Sequence, residues 1–76
     1  MPPSHESRRL SAEWRRVTRA CISGHEPRAL DEILDRVSAR RDCPLVGNVR
    51  VRVKNSLAYM RREGLIYHTG EGWLRK

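Results

Sequence analysis

The sequence predicts an α+β fold, three helices followed by a C-terminal β-hairpin. Apolar residues recur at helical spacing in three separate stretches, and glycine, proline and asparagine break the pattern between them. From Leu65 onward, two short apolar runs flank a glycine-containing turn. At 76 residues there is room for one small domain. Such a domain buries roughly 60% of the surface its unfolded chain exposes, too little for the cleft of a typical enzyme.

Leu10, Trp14, Val17 and Cys21 fall on one side of a first helix, with Arg15, Arg16 and Arg19 opposite. This predicts a helix over residues 12–23. Ser11 suits its N-cap, Glu13 the positive end of its dipole, and Gly24 a left-handed stop. The Pro/Ser-rich opening, residues 1–10 with Arg8 and Arg9, is expected to be a flexible basic arm. Residues 11–76 then form the domain.

Leu30, Ile33, Leu34 and Val37 make a second stripe. Asp31, Glu32 and Asp35 sit in its first turns and Arg40 and Arg41 near its end, both favourable to the helix dipole. Pro27 disfavours helix before it, so a short extended segment over residues 26–29 is expected to lead in. Residues 41–48, with Pro44 and Gly47, are a loop, and Asn48 is a candidate cap.

Two periods compete for residues 49–63. Val49, Val51 and Val53 alternate with Arg50, Arg52 and Lys54 as in a strand, yet Val49, Val53, Leu57 and Met60 keep helical spacing. The continuation NSLAYMRREG has good helix formers and a glycine stop at Gly64, so a third helix is predicted. Leu65, Ile66 and Tyr67 then form a short strand. Gly70 and Gly72 supply the positive φ angles of a tight turn, and Trp73 to Lys76 return. Trp14 and Trp73 are expected in the core, joining the first helix to the hairpin.

The stretch LAYMRREGLIYHTGEGWLRK resembles the end of a winged helix-turn-helix domain, in which a recognition helix closes on Gly-Leu-Ile before the wing. The matching residues are Leu57, Met60, Gly64, Leu65 and Ile66, with Gly70, Gly72 and Trp73 in the wing. ALDEILDRV resembles the first helix of the pair, so the likeness covers residues 12–76. The connection from Val37 to Asn48 departs from the pattern, being longer than the usual turn of about three or four residues. The resemblance implies a three-helix winged helix-turn-helix with a C-terminal β-hairpin wing. It further implies that the third helix docks in the major groove of double-stranded DNA while the wing meets the backbone or minor groove.

Charge supports an anionic partner independently of that likeness. Lys and Arg number 16 against 9 Asp and Glu, a net +7. Residues 1–26, 27–48 and 49–76 carry +2, 0 and +5, so most of the excess falls on the third helix and hairpin. At 100° per residue, Val51, Asn55, Ala58 and Arg62 lie opposite the buried side of the third helix, flanked by Arg50, Lys54 and Arg61. Slim residues allow close approach, Asn pairs with adenine, and Val touches a thymine methyl. Lys54 and Asn55 are assigned to base edges, and Arg50, Arg61 and Arg62 to phosphate. His68 and Thr69 near the wing tip are candidate backbone contacts, the histidine more strongly when protonated.

The expected function is a small sequence-specific or architectural DNA-binding protein, a transcriptional regulator. The runner-up is a winged-helix protein-docking module, such as a small inhibitor or adaptor of RNA polymerase. One domain of this kind buries a limited interface, so a homodimer or a protein partner is expected. Four aromatics and no Phe are too few for the stacking platforms of single-strand binders. Cys21 and Cys43 stand apart, and His5, His25 and His68 are scattered, so no metal spacing exists. No nucleophile stands at motif spacing from a base, and no glycine loop cradles phosphate. The protein is therefore expected not to be an enzyme and to have no cofactor and no small-molecule substrate. The chain lacks a run of about 18 apolar residues and an apolar leader, so no membrane partner and a cytoplasmic, intracellular setting are expected.

Overall fold

Three helices, α1 (His5–Ala20), α2 (Leu30–Ala39) and α3 (Val49–Arg62), precede two strands, β1 (Ile66–Thr69) and β2 (Gly72–Arg75). This is the arrangement in a computed structural model that describes residues 5–44 and 47–76. The α+β element order is as expected, with the strands paired antiparallel as a C-terminal hairpin.

The first helix differs most from expectation. It starts at His5, so Arg8 and Arg9 are helical; of the expected arm, residues 1–4 lie outside the described residues. Ser11 is therefore not an N-cap; it sits half-buried in mid-helix. Leu10 explains the longer helix, since it packs against the core at helical spacing from Trp14 and must share its helix. The helix also ends earlier, at Ala20, and Gly24 has no left-handed conformation. Bonds from Cys21 N to Thr18 O and from Ile22 N to Arg19 O tighten the last turn. Beyond it, Arg28 Nη1 donates to Cys21 O at 2.7 Å and Arg75 N donates to Ser23 O at 2.9 Å. Distant segments thus receive the carbonyls that a local glycine cap would have handled.

The extended segment before α2 is present and has a structural task. Arg28 forms an antiparallel bridge with Trp73, its N–H donating to Trp73 O at 3.1 Å while Trp73 N–H returns to Arg28 O at 2.9 Å. The edge of β2 is thereby covered. Gly72 makes this approach feasible: its φ is +147°, and a Cβ there would stand 2.5 Å from Arg28 O. Of the two expected positive φ angles, that at Gly70 is absent and that at Gly72 is present, where two backbones meet.

Ala29, at the start of α2, offers no side-chain cap, so Asp31 and Glu32 supply the negative charge that end of the helix favours. The competition at residues 49–54 resolves as helix. Asn48 Oδ1 accepts from Val51 N at 3.2 Å, and Val53, Ser56, Leu57 and Met60 are buried along one side. At the other end, Gly64 (φ +76°) donates to Arg61 O and Leu65 N donates to Met60 O, the paired bonds of a Schellman motif.

The core lies where α3 packs against α1, α2 and β1, with α1 its main partner. Trp14, Val17, Ile22, Ile33, Val37 and Ile66 are buried around the apolar side of α3. Trp14 is in this core as expected, but it borders Ser56 and Tyr59 of α3, while Trp73 packs half-buried from the hairpin.

Candidate nucleic-acid interface

The candidate residues of α3 sit on its solvent side because the buried residues occupy the other. Arg50, Val51, Lys54, Asn55, Ala58, Arg61 and Arg62 are all exposed. Val51, at 53%, is the most open large apolar side chain among the described residues. A valine so exposed on a basic face gains nothing for the isolated fold.

Four of the seven are drawn into one cleft. Lys54, Ala58, Arg61 and Arg62 line a groove of about 510 Å³ whose floor is Leu57, Leu30 at the start of α2 and Trp73 of the hairpin. No carboxylate lines it. The cleft exists because the bridge between Arg28 and Trp73 holds the hairpin beside the start of α2, leaving a trough along α3. Asn55 turns to the other flank, into a groove with Ser11, Arg15, Arg52 and Tyr59. Neighbours on a helix are separated by about 100°, so Lys54 and Asn55 straddle the outward direction rather than share one position.

The hairpin contributes unequally. His68 is exposed and stacks on Trp73, ring centroids 4.4 Å apart, as cross-strand partners in register. Its ring therefore stands next to the cleft that Trp73 lines. Thr69 is half-buried, and its hydroxyl donates to Gly72 O at 3.2 Å while accepting from Glu71 N at 3.2 Å. With its hydroxyl proton committed to the turn, Thr69 shapes the hairpin tip.

Several residues escaped sequence reasoning. Leu30 and Trp73 complete the cleft, which only the fold of distant segments could reveal. Arg52 was not among the sequence candidates; it is half-buried, close against Gly47. Arg15 lies over the Tyr59 ring at 4.3 Å, a cation–π contact between α1 and α3. Its signal was present in the sequence, where Arg15 falls on the exposed side of α1, but its partner was not.

None of the acidic residues of α2 lines the cleft. Glu32 pairs with Arg36 at 3.2 Å and stands 3.9 Å from Arg28 Nε. Cys21 is buried and Cys43 half-buried, both as free thiols, and burial pushes both upward from their ordinary range. Among the described residues no group of three His, Cys, Asp or Glu converges on a metal position, and no helix is long and apolar enough to cross a membrane. Comparison with protein families, curated proteins and solved structures returns no match to this chain.

Proposed function

We propose that this chain is a small double-stranded DNA-binding protein of winged helix-turn-helix type, a transcriptional regulator or architectural factor. In this proposal α3 enters the major groove and the hairpin lies on the backbone or minor groove. The observation that carries it is the solvent side of α3, where slim Ala58 and exposed Val51 stand among Arg50, Lys54, Arg61 and Arg62 with no acidic side chain in the adjoining cleft.

The dimensions suit this docking. The major groove is about 12 Å wide and a helix with its side chains about 10 to 12 Å across, so flanking cations meet the two phosphate walls. Lys54, assigned to a base edge from the sequence, shares the cleft with Arg61 and Arg62 and would meet one wall with them; Arg50 would also meet phosphate, Asn55 and Arg52 approach from the other side, and Val51 and Ala58 face base edges. His68 beside Trp73 adds a hydrogen-bonding group at the hairpin. Tight specific binding calls for a second copy or a protein partner, because one domain covers a short stretch of duplex.

Amide shift mapping with a random-sequence duplex at two salt concentrations tests the proposal. Shifts confined to α3 and the hairpin that shrink as salt rises are the expected result. Absence of shifts at low salt would overturn it.

A further inference from the structure

A second basic groove runs along the opposite flank of α3. Arg15 and Arg19 of α1 and Arg75 of β2 stand around Tyr59, Met60 and Leu65, enclosing about 400 Å³. No carboxylate lines this groove. Arg16 also borders it but is partly engaged, 3.6 Å from Asp42. Arg15 and Arg19 share one side of α1 and Arg75 comes from β2, far away in sequence, so their convergence is a product of the fold.

Two features distinguish this groove from an ordinary solvated surface. Tyr59 and Leu65, 41% and 37% exposed, are two of the four large apolar side chains left open among the described residues, and both lie here. Arg15 is also already oriented, its guanidinium held 4.3 Å over the Tyr59 ring. A cationic rim over an apolar floor matches a ligand with anionic and apolar groups side by side. A phosphodiester strand would satisfy the arginines while leaving Leu65 and Tyr59 uncovered. A peptide can satisfy both, with planar carboxylates on the guanidinium forks and an aliphatic side chain on the floor.

We propose that the groove between α1, α3 and the end of β2 docks an acidic segment of a partner protein, its carboxylates on Arg15, Arg19 and Arg75 and an apolar side chain against Met60, Leu65 and Tyr59. The DNA proposal centres on the outer side of α3 and the cleft on its other flank, and the two surfaces adjoin at Arg15 and Tyr59. A protein with both surfaces would join a duplex to a protein partner.

Fluorescence anisotropy with a short labelled peptide of Glu, Asp and Leu tests this, beside an all-acidic peptide of equal length and a labelled duplex. Arg19 and Arg75 are exposed, so the double variant Arg19→Glu, Arg75→Glu keeps the fold, which circular dichroism verifies. The proposal expects that variant to weaken the Leu-containing peptide by about tenfold or more, from two lost charge pairs of about 1 kcal/mol each and new repulsion. It also expects the charge-neutral variant Leu65→Ser to weaken the Leu-containing peptide while its duplex affinity changes by less than about threefold. Unchanged peptide affinity in the double variant would overturn it. So would equal binding of the all-acidic peptide, which would mean charge alone, or a loss of duplex affinity in Leu65→Ser matching its loss for peptide, which would make the groove a nucleic-acid surface.

Discussion

Two glycines show how differently single residues are constrained. Gly64 holds φ +76° at the end of α3 with nothing near its missing Cβ, whereas Gly72 holds φ +147° with three backbone atoms of Arg28 within 2.9 Å of that position. Alanine at Gly64 meets only the left-handed penalty, about 1 kcal/mol. At Gly72 it must also push the Arg28 backbone away and break the bridge to Trp73, and the expected loss is roughly 2 to 4 kcal/mol. Urea denaturation of the two variants measures the difference; equal losses would mean that the bridge contributes little. The sequence marked both glycines, but only the task of Gly64 was legible in it. Asn48 and Gly64 were legible as caps because a cap depends on residues within one turn of it. Ser11 and Gly24 were misread because the ends of α1 are settled by Leu10 in the core and by Arg28 and Arg75, contacts that local spacing does not contain.

Between elements, the connection from α2 to α3 is longer than in a simple helix-turn-helix and is held by charge. Asp42 accepts from Arg40 Nε at 2.8 Å and Nη2 at 3.0 Å, and Arg16 of α1 stands 3.6 Å away. The hydrogen-bonded Arg40 guanidinium holds the Asp42 carboxyl below its usual range. A carboxyl whose value is lowered by folding contributes stability above its unfolded-state pKa and loses it as pH falls through the folded-state value. The pair is exposed, so the contribution is small. Asp42→Asn is expected to lower stability slightly near neutral pH and to flatten the decline between about pH 5 and pH 2, as followed by the urea midpoint. A variant curve parallel to the original would remove Asp42 from the account. α3 shows what a sequence does convey about an element: its two competing periods were decided by the helix formers and glycine stop beyond residue 54, and the buried line of Val53, Leu57 and Met60 agrees.

Across the whole molecule, the net +7 is distributed over distinct surfaces. Lys54, Arg61 and Arg62 line one flank of α3, Arg15, Arg19 and Arg75 the other, and Glu32 of α2 is drawn toward Arg28 and Arg36. The +5 of residues 49–76 foretold the first surface. It could not foretell the second, which takes two of its three principal arginines from α1 and one from the last strand. Thr69 was assigned from its place near a hairpin tip, and the turn's own hydrogen bonds claim its hydroxyl. The central proposal is that the α3 face binds the phosphates of a duplex, and the salt dependence of duplex affinity tests it most directly. Substituting Arg50, Lys54 and Arg61 together by alanine should lower the slope of log affinity against log salt by about one unit per residue. A variant whose slope equals that of the unaltered protein would contradict the proposal, because those three side chains would then touch no phosphate.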